Sequence, residues 1–468
     1  MKHEKLFDAM QHISDQHLAE AVGQVRGRIR FRIGLIAAVL AVVIAVNFIH
    51  VPALIFAGTV SAASPSRLEE RPNYDAYADK NAFRADLDAY LALQEQRSDI
   101  AAEANAQLRS FFQKGSAEFL SDQDQNPVWS PVNAYIGLAM AAEIAGGNSR
   151  QQILDLFNTA NIATLRSQVS AVWESIYQDD GNEICILGNS LWIDDETRFH
   201  QEAADALSYH YYADVFQADL VKPQTGKDIQ NWLNNHTGGL LKDQVKNITL
   251  TDDMILALYS TIYFQAKWSD EFDAAQNTTD VFHSPGGDTT ATYMNAQLRQ
   301  MNYYWGEHFS AVALNLKNGS RMWFILPDEG SSTNEVLSDG EYLDMIADTW
   351  ENSNYMKVNL TIPKFDVTAQ LQLRQGLEKL GVTDIFDMAK SDLSGGVETV
   401  PAWFSAANQA TRVQIDETGV KAAAYIELPA CGAAAPPEEI IDFVLDRPFL
   451  FVISKQNIPL FAGTVCRP

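Results

Sequence analysis

The chain has 468 residues, with 34 Lys+Arg against 60 Asp+Glu and a formal net charge of −26. That length allows two or three domains, or one large one with appendages, and the acidic excess argues against nucleic acid or an anionic membrane surface as a partner of the main body. Three cysteines, Cys185, Cys431 and Cys466, are too few and too scattered for a metal site or a disulfide framework.

Residues 1–32 read as a cytoplasmic tail, with six basic residues (Lys2, Lys5, Arg26, Arg28, Arg30 and Arg32) and four acids. From Ile33 to Val60 nothing is charged, and Ile33 to Val46 is wholly apolar. About twenty apolar residues cross a bilayer as a helix, so 33–56 is predicted to be a transmembrane signal-anchor. The Arg cluster on its N-terminal flank predicts that end inside and the rest of the chain outside, a single-pass protein of the cell membrane. The rival is a secretory signal cleaved after Ala62, but the flank of about 30 residues is long for one, which favours the uncleaved anchor. Residues 57–99 are polar and charged and are expected to form a linker, partly helical from Asn81 to Gln96.

The globular part is expected over 100–468. Ala101 to Leu120 shows helical spacing through Leu108, Phe111, Phe112 and Phe119. Ile136 to Ile144 reads as a buried helix ended at Gly146-Gly147-Asn148, and Ser149 to Phe157 as a third. Strand-like runs follow at Ile184 to Ile193, Met254 to Phe264, Ala311 to Leu316, Arg321 to Leu326 and Val358 to Ile362. More come at Thr411 to Ile415, Phe449 to Ser454 and Leu460 to Val465. Helices lead and strands dominate the end, a mixed α+β unit.

Between the last strands lies VQIDETGVKAAAYIELPACGAAAPPEEIIDFVLDRPF (Val413 to Phe449). From Val420 it alternates: Val420, Ala422, Ala424, Ile426 and Leu428 share an apolar face, while Lys421, Ala423, Tyr425, Glu427 and Pro429 share the other. It then dissolves into Cys431-Gly432-Ala433-Ala434-Ala435-Pro436-Pro437, which reads as exposed loop. Catalytic motifs are missing: there is no GxSxG, HExxH, P-loop or GxGxxG. The last histidine is His308, and carboxylate pairs such as Asp194-Asp195 read as solvated surface. No cofactor, metal or enzymatic activity is expected.

An ordered set of segments carries a family likeness. They are NPVWSPVNAYIGLAMAAEIAGGNSRQQI (Asn126 to Ile153), LGNSLWIDD (Leu187 to Asp195), IQNWLNNHTGGLL (Ile229 to Leu241) and YSTIYFQAKWSDEF (Tyr259 to Phe272). Then come ILPDEG, IPKF, LEKLGVTDIFD, DLSG, IDETGVKAAA, DRPFLFVI and LFAGTVCRP. From about Ile100 to Pro468 the chain resembles a serpin, a serine protease inhibitor. The resemblance implies three β-sheets, eight or nine helices, and an exposed reactive-centre loop on a metastable fold. It implies a monomer that a serine protease attacks as substrate. The cut loop then inserts as a new strand in the large sheet and traps the acyl-enzyme.

On that likeness the hinge is Glu417, Gly419, Val420, Ala422, Ala423 and Ala424. The region where the sheet parts is marked by Ser130, Ser260, Gln409 and Trp268, with Ser260 where Asn is usual and Gln409 where His is usual. Counting forward from Glu417-Thr418-Gly419 places the reactive bond at Ala433–Ala434, flanked by Cys431, Gly432 and Ala435. Counting backward from Phe443 places it near Pro437, a poor site for most proteases. Ala before the cut implies an elastase-like or subtilisin-like target with a small primary pocket. The alternatives are a non-inhibitory serpin, acting as a binding protein or protease substrate, and an inhibitor of a papain-like cysteine protease.

Overall fold

The structure, a computed structural model, describes residues 55–56, 72–77, 79–122, 124–179, 184–244, 246, 248, 250–251, 254–349, 351–398, 401–420 and 439–468. In chain order it begins with β1 (Ile55–Phe56), α1 (Lys80–Phe119), β2 (Val128–Trp129), α2 (Pro131–Ile144), α3 (Gly147–Leu156) and α4 (Ile162–Ile176). Next come β3 (Gln178–Asp179), β4 (Ile184–Ile193), α5 (Gln201–His210), β5 (Ala213–Gln217), α6 (Pro223–His236) and β6 (Leu256–Lys267). The middle holds β7 (Thr278–Phe282), β8 (Thr289–Trp305), β9 (Phe309–Asn315), β10 (Arg321–Pro327), α7 (Thr333–Asp339) and α8 (Glu341–Ile346). The end holds β11 (Ser353–Pro363), β12 (Phe365–Gln372), α9 (Leu373–Lys379), β13 (Asn408–Ile415), β14 (Gly419–Val420), β15 (Ile440–Val444), β16 (Phe449–Lys455) and β17 (Ile458–Val465).

Among the described residues there are thus nine α-helices, and the strands form three sheets. One is six-stranded, in the order β1-β5-β4-β6-β14 with β3 beside β4. The second has nine strands, in the order β15-β11-β8-β9-β10-β16-β17-β2 with β7 beside β8. The third is only the β12-β13 pair. No ladder among the described residues joins β6 to β13, although both flank one cleft.

Pro131 opens α2 at a position where its missing N–H costs nothing. The helix is buried on nearly every side and packs against β6 and β17. Its apolar run therefore needs no polar face. Helix α1 buries Ala101, Ala104, Leu108, Phe111, Phe112, Gly115 and Phe119 against the body. It runs unbroken through Ile100, so one helix bridges the expected boundary between linker and body.

The expected transmembrane segment, 33–56, lies outside the described residues except for its last two. Ile55 and Phe56 are not helical: they pair in parallel with Phe216 and Gln217 on the sheet edge. An edge strand offers unpaired backbone groups to any extended segment that reaches it. Among the described residues no helix is long and apolar enough to cross a membrane.

Gly115 lies mid-helix, where Gly costs about 1 kcal/mol against Ala. A Cβ there would stand 2.2 Å from the Trp129 ring. Gly115→Ala should therefore lower the thermal unfolding midpoint, by an overpacking cost of about 1–3 kcal/mol, instead of raising it as helix propensity alone would. Differential scanning fluorimetry checks the sign.

Candidate functional site: a hinge above a slot in the sheet

The turn from β13 to β14 is held from all sides. The Asp416 carboxylate accepts from the Thr418 N–H at 2.8 Å, the Thr418 hydroxyl at 2.6 Å and the Gly419 N–H at 3.3 Å. Trp268, 1% exposed, donates its indole N–H to the Asp416 carbonyl at 2.8 Å. The backbone N–H of Trp268 reaches the Thr418 carbonyl at 3.1 Å, and that of Phe272 the Glu417 carbonyl at 2.9 Å. Lys364 donates to both Glu417 oxygens, at 2.9 and 3.0 Å, and the Asn277 amide donates to the same carboxylate. Burial pushes the Glu417 carboxyl up, but Lys364 and Asn277 outweigh it and hold it below the usual carboxylate range.

Gly419 has φ +150°, and a Cβ on it would lie 2.5 Å from both the Ala266 carbonyl oxygen and the Lys267 Cα. Only glycine allows the chain to turn back that close to β6. There Gly419 and Val420 pair antiparallel with Lys267 and Ala266. Asp416 bridges Gly419 in the same sense, so β14 sits between β6 and β13. Below it opens the cleft, walled by Ile262 and Phe264 of β6 and by Arg412, Val413 and Gln414 of β13, with Val420 at its head.

The far end of this slot is closed by two polar groups. The Gln409 side chain accepts from the Ser130 N–H at 2.8 Å and donates to the Ser130 carbonyl at 3.0 Å, while the Ser130 hydroxyl donates to the Leu460 carbonyl at 2.6 Å. Ser260 belongs to a separate group. Its hydroxyl faces the carboxamide oxygens of Asn133 and Asn189, the latter at 2.7 Å, and its carbonyl accepts from the Asn133 amide at 2.9 Å. The first turn of α2 thus holds β13 through Ser130 and β6 through Asn133. The expected set of Ser130, Ser260 and Gln409 is split between the two sides.

Of the predicted site residues, Glu417, Gly419, Val420, Ser130, Ser260, Gln409 and Trp268 fall where just described. Ala422, Ala423, Ala424, Cys431, Gly432, Ala433, Ala434 and Ala435 lie outside the described residues. Sequence reasoning assigned no role to Asn133, Asn277 or Lys364. Asn133 carried a readable signal, a polar side chain three residues into a helix that is apolar apart from it, Tyr135 and Glu143. Lys364 and Asn277 carried none, because their partner lies far along the chain. The other thiols, Cys185 and Cys466, are pushed up to about 12 by burial, which keeps them protonated near neutral pH.

Because Glu417 is held ionised below its unfolded pKa, its bonds stabilise the fold fully above that unfolded value. The stabilisation is lost as pH falls through the lower, folded value. Glu417→Gln should lower stability near pH 7 by about 1–3 kcal/mol. Its melting curve should converge on that of the unaltered chain as the pH is taken into the acid range. Parallel curves at all pH values would contradict the assignment.

Three comparisons with known proteins agree with this arrangement. The family profile described as "Serpin (serine protease inhibitor)" matches residues 109–468. Alpha-1-antiproteinase S of Cavia porcellus is 27% identical over 355 residues, covering 73% of this chain and 85% of that protein. Alpha-1-antiproteinase of Callosciurus caniceps is 27% identical over 352 residues, covering 73% and 83%. Among solved structures, the native state of the thermophilic serpin tengpin superposes with a TM-score of 0.68 at 25% identity, covering 77% of this chain and 93% of that one. Arabidopsis AtSerpin1 in its native stressed conformation gives a TM-score of 0.69, at 23% identity and 79% and 98% coverage, a likeness of fold. With the matched profile spanning most of its length, the chain belongs to the serpin family.

Proposed function

We propose that this serpin is a suicide-substrate inhibitor of serine proteases with small-residue specificity, elastase-like or subtilisin-like, and not an enzyme. The observation that carries the reading is the pairing of Gly419 and Val420 with β6 at the head of the cleft between β6 and β13. Continued in that register, Ala422, Ala424 and Ile426 come opposite Phe264, Ile262 and Ser260. On the other side the Asp416–Gly419 bridge, continued, brings the same three opposite Val413, Thr411 and Gln409. Those three of β13 are buried, as are Phe264 and Ile262 of β6. Every loop residue that would turn inward is therefore uncharged, as burial between two strands demands. Lys421 and Glu427 would fall on the outer face, beside Gln265 and Tyr259.

In this mechanism the protease attacks the Ala433–Ala434 bond and its nucleophile becomes acylated. The freed strand zips down the slot from Val420, carrying the protease with it. Insertion must part Gln409 from Ser260's side of the cleft, and Ile426 would arrive between them. The gain comes from backbone pairing and apolar burial that the intact loop forgoes, so the uncut form is held kinetically. A serpin that binds or is merely cut, without insertion, is the competing reading. The uncharged inward face of the loop is what favours trapping.

The uncharged stretch Ile33–Val60 behind its Arg cluster supports attachment to the cell membrane, with the serpin body outside. Fractionation tests this: recovery of the full-length chain only in the soluble fraction would refute it.

Titration of pancreatic elastase, neutrophil elastase and subtilisin should yield a complex that survives denaturing electrophoresis, with the cut mapped by mass spectrometry to Ala433–Ala434. Cleavage at every ratio without a surviving complex would refute inhibition. Ala424→Arg would carry a charge between Ile262 and Thr411, costing several kcal/mol. It should turn the inhibitor into a substrate, with the complex band replaced by the cleaved chain.

A further inference from the structure

We infer that Arg97, Glu174 and Tyr212 form a clamp on the edge of the six-stranded sheet, and that Arg97, acting through the other two, restrains the entry of a strand between β6 and β13. Arg97 is thus a positioning residue for insertion. The inference rests on the insertion reading above and deepens it.

The clamp is closed by a part of the chain that precedes the matched family profile. That profile begins at residue 109, whereas α1 begins at Lys80, so most of the helix lies ahead of the match. There Arg97 pairs with Glu174 of α4, Nε to Oε2 at 2.5 Å, with side-chain exposures of 17% and 13%. A pair so shielded from water holds more firmly than one on the open surface. The other oxygen of Glu174 accepts from the Tyr212 hydroxyl. Trp173, the preceding residue of α4, stacks on the Tyr212 ring with centroids 3.9 Å apart, and on Tyr177 at 4.5 Å. Tyr212 has φ +53°, a left-handed conformation that bulky residues rarely adopt. The stacking and the bond to Glu174 hold that strained residue in place.

Tyr212 is the last residue before β5, and the turn it belongs to leads into the sheet. The Tyr211 carbonyl accepts from the Asn189 amide of β4 at 2.7 Å. The Asn189 side-chain oxygen in turn accepts from the Ser260 hydroxyl of β6 at 2.7 Å. Asn189 also stands opposite Ala213 on one side and Ser260 on the other in the two ladders of β4. Through the peptide bond between Tyr211 and Tyr212, one chain of contacts runs from α1 across the sheet edge to the wall of the cleft.

Entry of a strand has to move this chain. Ser130 and Asn133, which hold β13 and β6, lie one turn apart on α2, about 5–6 Å. A strand placed between β6 and β13 sets them about 9.6 Å apart, two spacings of about 4.8 Å. β4 and β5 are laddered to β6 and must shift with it. Helix α1 is tied elsewhere. Arg109 grips both Asp344 oxygens at 2.6 Å, and Asn105 donates to the Asn457 carbonyl at 3.0 Å, which fastens the helix to α8 and to the turn between β16 and β17. The clamp therefore bolts the moving edge to the stationary part and opposes widening.

The test compares the intact chain with Arg97→Ala, Tyr212→Phe and the two combined. Gly115→Ala serves as a variant that disturbs α1 away from the clamp. The measured quantity is the rate at which a synthetic peptide of the sequence Lys421 to Ala433 adds to each uncut chain, read by the rise in its thermal unfolding midpoint. Arg97→Ala should speed addition by about tenfold, a usual size for coupling between sites. Tyr212→Phe, which deletes one hydroxyl and keeps the stack, should give a similar gain, and the double variant no more than either, because both cut one link. Gly115→Ala should leave the rate as it is. Should Arg97→Ala fail to fold, Tyr212→Phe decides alone. No protease enters this assay, so faster addition without a trapped complex would uphold the clamp while refuting inhibition. Equal rates throughout would overturn the clamp, and so would a peptide that adds to none of the chains. An equal gain from Gly115→Ala would reduce the effect to lost stability and overturn it as well. Fully additive gains would overturn the route through Tyr212.

Discussion

The fold is organised around a ladder that is not made. β6 and β13 flank the same cleft, yet among the described residues no backbone pairing joins them below β14. Two strand edges facing each other across a gap are a costly arrangement, because each forgoes hydrogen bonds that a closed sheet would have. The arrangement persists because neighbouring elements hold each edge separately. β6 is locked on its other side to all ten residues of β4. β13 is locked to β12 over its whole length. Each strand is therefore held without the other.

Gly419 and Val420, the last described residues before 439, already pair with β6. Trp268, Asp416 and the Lys364–Glu417 pair fix the turn, while Gly419 admits the chain to within van der Waals limits of β6. A second apolar cluster, of Trp192, Trp232, Leu233 and Leu241 among others, packs against Ala257 and Tyr259 of β6 and Ala410 of β13. It thus touches both strands, as the start of α2 does through Ser130 and Asn133.

Much of this was readable from local pattern. The ten residues of β4 are apolar apart from Gly188, Asn189 and Ser190, and its limits were predicted as observed. The seam of α1 was visible in the spacing of Leu108, Phe111 and Phe112. The alternation after Val420 announced a strand without a place. What local pattern could not supply is partnership. Ser130, Ser260 and Gln409 were grouped by likeness, but Asn133 takes the place beside Ser260 that likeness would give to Ser130. β8 escaped detection because the bulge at Leu298 reverses which residues face inward, so no single period describes its 17 residues. The two-residue β1 was hidden inside a stretch whose composition argued for lipid.

The link between Gln409 and α2 has an unequal distribution of constraint. Both of its bonds end on the main chain of residue 130, whose own hydroxyl is occupied by Leu460. Any residue with a normal peptide group could stand at 130 and still be gripped. At position 409 the side chain makes both bonds: a carboxamide offers a donor and an acceptor side by side, and asparagine is one methylene too short. Glutamate would keep the first bond and lose the second. This link therefore depends on the side chain at 409, while the side chain at 130 serves the separate bond to Leu460.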